Sequence, residues 1–230
     1  MKKEQIFDNM GVMCVCLDKR KEHWTELSEQ CKQHNLNMIP WVCGDGSDKS
    51  LTYDQIDAIN PPTAQWGYGV PHLKHHHYNC LTAHKGIIQK AKDNKWDSVL
   101  MLEDDTYFLK RFDDVMERVD VPDDWQLIYL SWWYGDEHNL WNNEVEDEYR
   151  YKGKTQVLPV TFNIGGWHSV IVRSSLYDTI LSLPYANPLD TQFCYLRPQV
   201  PSYMILPKVT HIKSIFSFTE GCVFNRKKLT

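Results

Sequence analysis

Short apolar runs and helical periodicities alternate along most of the chain. Gly11 to Leu17 is an unbroken apolar run and predicts a buried strand. Asp18 follows in a capping position, and Trp24, Leu27 and Cys31 recur at helical spacing behind it. Asn37 to Val42 predicts a second strand, closed by the turn Gly44-Asp45-Gly46. Residues 60 to 76 hold three prolines and two glycines and read as a loop. Tyr78, Leu81, Ile88 and Ala91 then mark an amphipathic helix. Ser98 to Leu102 predicts a third strand that stops abruptly at Glu103-Asp104-Asp105. A short helix is expected from Phe112 to Val119 and a fourth strand from Trp125 to Leu130. Residues 134 to 154 are polar and acidic and read as an irregular insertion. Ser169 to Val172 predicts a strand, and Ser174 to Leu183 a helix with Ser174 as its cap. Ser202 to Leu206 is the last expected strand, before an irregular tail ending in Arg226-Lys227-Lys228. No internal repeat or low-complexity segment interrupts this pattern.

Strands alternating with helices argue for an α/β layered fold around a mostly parallel sheet flanked by helices. Ligands of such sheets bind beyond the carboxyl ends of the strands. The length of 230 residues accommodates one large domain or two small ones. An apolar fraction of 42% with 24% charged residues excludes a disordered, collagenous or small disulfide-stapled chain. The net charge of −5 argues against a nucleic-acid backbone as partner. The first apolar run falls far short of the roughly 20 residues of a membrane span and has no small-residue cleavage site. Neither a transmembrane segment nor a signal peptide is therefore expected. The seven cysteines contain no Cys-x-x-Cys pair. Cys14 and Cys16 should share one strand face as free apolar thiols, which suits a reducing, cytosol-like compartment.

The acidic triplet carries the most specific chemistry. Three adjacent carboxylates repel one another and resist burial. In an extended chain Glu103 and Asp105, at i and i+2, point to one side. Such a pair suits a hard divalent cation, magnesium or manganese, which can bridge nucleotide phosphates and stabilise a leaving group. A solvated turn capping the next helix would read the same way.

Several segments, taken in order, carry a resemblance. They are Val15 to Arg20 with Trp24, Cys43-Gly44-Asp45-Gly46, Asn79 to His84, Leu100 to Asp105, Trp125 to Leu130, Gly166-Trp167-His168 and Pro188-Leu189-Asp190. In that order and spacing the chain resembles GT-A-fold glycosyltransferases of the family 25 type, the lipooligosaccharide and collagen galactosyltransferase group. It is also similar to the small glycosyltransferase domains of large algal viruses. The resemblance spans nearly the whole chain. Asn79 and Ala83 depart from the Gly and Ser usual in the family, and the loop with Trp66, Tyr68 and the histidine run is longer.

The resemblance implies one GT-A domain over 1–230, with 1–105 holding the nucleotide sugar and 106–230 the acceptor. It implies a metal-dependent, inverting transfer of a sugar from a nucleotide-diphosphate sugar to a hydroxyl of a glycan or glycoprotein. The implied metal is Mn2+ or Mg2+, with Asp105, Glu103 and His211 as ligands. Glu103 and Asp104 would also serve the donor, and Lys213 its diphosphate. Leu17, Asp18, Arg20, Asp45, His84 and Lys85 would line the donor pocket. Inverting transfer needs a carboxylate that takes the acceptor proton. Asp190 is the candidate, with Asp136 and Glu137 behind it; a helix cap is its alternative role. Trp132-Trp133-Tyr134 would offer apolar faces to a sugar. His72, His75, His76, His77 and His84 lie close in sequence and could bind zinc, although a loop folding over substrate fits the run better. Two other readings stay open: a metal-dependent phosphoesterase using the same acids, and a non-catalytic sugar-binding module. The expected location is a cytosol, bacterial or that of a virus-infected host.

Overall fold

The computed structural model describes residues 6, 8–44, 74–134, 154–161, 164–185, 188–213, 216–217 and 222–223. Its strands are β1 (Met10–Leu17), β2 (Met38–Cys43), β3 (Ser98–Glu103), β4 (Thr106–Phe108), β5 (Leu127–Tyr129), β6 (Trp133–Tyr134), β7 (Gln156–Pro159), β8 (Ile164–Gly165), β9 (Ser169–Arg173), β10 (Ser202–Leu206), β11 (Thr210–Ile212), β12 (Phe216–Ser217) and β13 (Cys222–Val223). Its α-helices are α1 (Lys21–Gln33), α2 (Lys74–Asp93), α3 (Phe112–Met116), α4 (Tyr177–Ser182) and α5 (Leu189–Leu196).

Seven strands form one sheet in the order β2-β1-β3-β9-β5-β10-β7. The pairs β1–β2, β1–β3 and β5–β10 are parallel. The pairs β3–β9, β5–β9 and β7–β10 are antiparallel. The sheet is therefore mostly parallel in strand direction, as expected, but mixed: β2, β1, β3, β5 and β10 run one way, and β9 and the edge strand β7 run against them. The physical reason is the entry of β9. It follows β8 through a short turn at the edge where β3 ends, with no crossover helix to bring it round. It must then run against both of its neighbours. Because β9 pairs with β3, strands from both halves of the chain share this sheet.

Side-chain alternation divides the core into two layers. On one face Met13 and Val15 of β1 and Val99 and Met101 of β3 pack under α2 through Leu81, Ile87, Ile88 and Ala91. On the other, Val12, Cys14 and Cys16 of β1 and Leu100 and Leu102 of β3 pack with Leu27 and Cys31 of α1 and with Phe112 and Val115 of α3. Cys14 and Cys16 thus share a face, as their spacing requires. Gly86 lets α2 lie close to the sheet: a Cβ there would stand 2.4 Å from Cζ2 of Trp41.

Two expected helix caps are absent. Asp18 begins a 3-10 turn, Asp18–Arg20, that leads into α1 without a side-chain cap. Ser174 likewise opens a 3-10 turn, with Arg173 in the cap position and no side-chain cap. In both places the strand runs straight into the turn, so the hydroxyl or carboxylate sits past the cap position. The stretch read as an irregular tail contains β11, β12 and β13. No helix among the described residues is long and apolar enough to cross a membrane.

Candidate active site

The register of the central strands brings several chain segments to one sheet edge. Leu17 lies opposite Cys43, Val15 opposite Glu103, and Leu102 opposite Ser169. The carboxyl ends of β1, β2 and β3 and the turn before β9 therefore meet there.

Strand parity separates the three acids. Val99 and Met101 face α2, so Glu103 projects to that layer. Leu100 and Leu102 face α1 and α3, so Asp104 projects to the opposite one. Asp104 is almost fully buried. Its Oδ2 accepts the Leu17 amide at 2.9 Å and its Oδ1 accepts Arg20 Nη1 at 3.0 Å. Burial raises its pKa above the ordinary carboxylate value, while the Leu17 amide and the Arg20 guanidinium oppose that rise. Asp104 and Arg20 thus close the turn after β1. Their polar groups serve each other, although a donor-binding role was expected of both. Asp18, in that same turn, is exposed, and Leu17 is half-buried.

Glu103 meets α2. Its Oε1 stands 3.4 Å from Nε2 of His84, a buried side chain whose Nδ1 lies 3.8 Å from Sγ of Cys80. The contact to Glu103 has ion-pair distance without hydrogen-bond alignment. Cys80 and His84 are one helical turn apart and so share a face of α2. Sequence reasoning did not mark Cys80 as a possible ligand; the signal was its i, i+4 spacing to His84. Burial pushes the Cys80 thiol well up, and the nearby charges of Glu103, Asp190 and Asp105 push it further.

Asp190 joins from the first turn of α5. Its Oδ1 accepts the amide of Thr191 at 2.7 Å. Burial raises its pKa first; the amides of Thr191 and Gly166 hold it down, Glu103 pushes it up and His84 lowers it. Asp190 thus sits one residue inside α5, past the cap position, and holds the amide of its own neighbour. Glu103, Asp105 and Asp190 all act electrostatically on the Cys80 thiol, and Glu103 and His84 on Asp190, so the three acids lie about one edge of the sheet. Like charges that share one edge repel one another and favour a bound cation there.

The turn before β9 fastens the triplet from behind. The His168 carbonyl accepts the Glu103 amide at 3.1 Å and the Thr106 hydroxyl at 2.8 Å. Trp167 is buried beside His84 and packs on Phe193 of α5 at a ring separation of 4.7 Å. It ties α5, and with it Asp190, to the edge of the sheet.

Asp105 is met from the other side by β11. Antiparallel pairing sets His211 opposite Tyr107, and their rings stack at 5.7 Å. The Lys213 amide extends the ladder to the Asp105 carbonyl at 2.7 Å. Nδ1 of His211 lies 2.7 Å from the Ile212 amide nitrogen and 3.1 Å from the Ile212 carbonyl; its Nε2 could act as a ligand in the tautomer whose Nδ1–H donates to that carbonyl. His211 is brought near Asp105 through the backbone. Among the described residues it is not gathered with Glu103 into one ligand set, whereas Cys80, His84 and Glu103 are.

Other expected residues have different surroundings. The Lys85 ammonium is buried, donates to the carbonyls of Leu181 and Leu183 at the end of α4, and lies 4.3 Å from the centre of the Tyr185 ring. It caps α4 where a donor contact was expected. Lys213 Nζ donates to Glu26 at 2.6 Å. Trp132 is buried in the core instead of offering a face to a sugar. Asp45, Asp136, Glu137, Trp66, Tyr68, His72 and Arg226-Lys227-Lys228 lie outside the described residues, as does the side chain of His75.

No protein-family model matches the chain, and no curated protein sequence does. Among solved structures it is similar to "a glycosyltransferase involved in the glycosylation of the major capsid of PBCV-1". That similarity has a TM-score of 0.47 at 10% identity, over 85% of this chain and 80% of that one.

Proposed function

We propose that the chain is a glycosyltransferase that moves a sugar from a nucleotide-diphosphate sugar to the hydroxyl of a glycan or glycoprotein acceptor. The observation that carries this reading is that Glu103, Asp105 and Asp190 all come within electrostatic reach of Cys80 at the carboxyl edge of β1, β2 and β3. The order and spacing of the motifs along the sequence support it independently.

Oxygen ligands of the Glu103 and Asp105 type suit Mn2+ or Mg2+. When bound, such an ion neutralises charge that develops on the departing diphosphate. Asp190 is the base of the reading: its carboxylate takes the acceptor proton as the acceptor oxygen bonds to the anomeric carbon. The bond from that carbon to the diphosphate oxygen breaks, and its electron pair leaves with the nucleotide diphosphate. A partly buried carboxylate with a raised pKa is a stronger base than one in water.

Thermal melts against a panel of nucleotides and nucleotide sugars, with and without Mn2+, test the reading. A ligand selective for the native state raises the melting temperature by mass action. The expected result is a shift for one nucleotide class that needs the metal and is lost in Asp105→Ala. A full panel without any shift refutes glycosyl transfer. Hydrolysis of a simple phosphodiester would instead favour a phosphoesterase.

A further inference from the structure

We propose a second metal site, for a zinc-class ion, formed by Cys80, His84 and Glu103 where α2 crosses the end of β3. The site goes beyond the glycosyl-transfer reading and does not depend on it, although Glu103 belongs to both.

Three observations carry the site. The ligand atoms of the three residues lie within 4.8 Å of one another. The His84 Nε2 is buried and lacks an aligned hydrogen bond, with a carboxylate oxygen 3.4 Å away. For a tetrahedral ion with Zn–N and Zn–O bonds of ~2.0–2.2 Å, the nitrogen–oxygen edge is ~3.4 Å. The gap that is too poorly aligned for a hydrogen bond thus matches two corners of a zinc tetrahedron. Sγ of Cys80 lies 3.8 Å from Nδ1 of the His84 ring, near the ~3.6 Å sulfur–nitrogen edge for a Zn–S bond of ~2.3 Å, so an ion on either ring nitrogen already has one partner in place and needs the other to shift toward it.

The donor set decides which ion. Thiolate and imidazole are softer ligands than the carboxylates expected to hold Mn2+ or Mg2+, and they favour Zn2+ over both. Helical spacing supplies Cys80 and His84 from one face of α2, and strand parity turns Glu103 toward them. Three protein ligands leave the fourth position to water, an open zinc geometry. Such an ion would pin α2 to the acidic end of β3.

The test titrates the metal-free full chain with Co2+, followed by absorption spectroscopy, and then displaces the cobalt with Zn2+. The expected result is one cobalt per chain, with a thiolate-to-cobalt charge-transfer band and tetrahedral visible bands, all erased by stoichiometric Zn2+. Cys80→Ser should abolish the thiolate band and weaken Zn2+ binding by more than about tenfold. If that variant does not fold, Glu103→Gln serves in its place: the thiolate band should remain while Zn2+ affinity falls. Absence of a thiolate band in the parent chain, or a band surviving in folded Cys80→Ser, overturns the site. The two readings fail separately. A cobalt–thiolate band without any metal-dependent nucleotide shift keeps the zinc site and removes glycosyl transfer; the reverse pattern does the opposite.

Discussion

Replacing adjacent carboxylates one at a time should give opposite phenotypes, because strand parity sends them into different layers. Asp104→Ala removes the acceptor of the Leu17 amide at 2.9 Å and the partner of Arg20 at 3.0 Å. Both side chains of that ion pair are largely buried, at 13% and 5% exposure. Leaving one member of a buried pair behind costs about 3–5 kcal/mol. Loss of the carboxylate also removes its own burial penalty, the same penalty that raises its pKa. The lower end, about 3 kcal/mol, is therefore expected. For a chain of this size that lowers Tm by about 6–12 °C. The Glu103 side chain is 31% exposed, and its ion-pair contact to His84 is misaligned. Glu103→Ala should cost less than about 1 kcal/mol. Urea denaturation of both variants, with slopes compared, measures the difference. A double-mutant cycle with Arg20→Ala should return a coupling of at least about 1 kcal/mol. Equal losses for the two variants, or no coupling between Arg20 and Asp104, would falsify the division of labour.

Asp190→Asn should leave metal-dependent nucleotide binding intact and slow transfer by about 10²–10⁴-fold, measured by initial rates. Because burial raises the Asp190 pKa above 3.8, its ionised form costs the fold stability at neutral pH, and that cost disappears as pH falls through the raised value. The asparagine variant should therefore melt no lower than the parent at pH 7, and the parent's transfer rate should fall with acid through a pKa above the ordinary carboxylate value. Lys85→Ala should destabilise by about 1–3 kcal/mol by stripping Leu181 and Leu183 of their donor. Its nucleotide affinity should stay unchanged by titration; a large loss of affinity with normal stability would return Lys85 to the donor pocket.

The local pattern of the chain determined much of the scaffold. Uninterrupted apolar runs bounded by polar residues marked β1, β3, β9 and β10 and enclosed β5, because a strand buried on both faces has no other composition available; β2 carried a similar run although it is an edge strand with Ile39 and Val42 exposed. Helical spacing marked α1 and α2 for the same reason of burial. The triplet stood out because three carboxylates directly after such a run cannot continue into the core. Period-two alternation even separated Glu103 from Asp104 in principle.

Tertiary structure alone decided which layer each face met, and so which acid would look toward α2 and which would brace the turn at Leu17 and Arg20. The antiparallel course of β9 was invisible locally, since a strand's residues are the same whichever way its neighbours run. The pairing of β11 with β4 depends on partners far apart in the chain, and neither is long enough to announce itself. Lys85 was expected in the donor pocket because nothing nearby in sequence reveals the carbonyls at the end of α4. The meeting of Asp190 with Glu103, and of Cys80 with both, exists only once α2, β3 and α5 are packed. Local sequence sets what each segment can bury; the packed sheet sets which charges must then face one another.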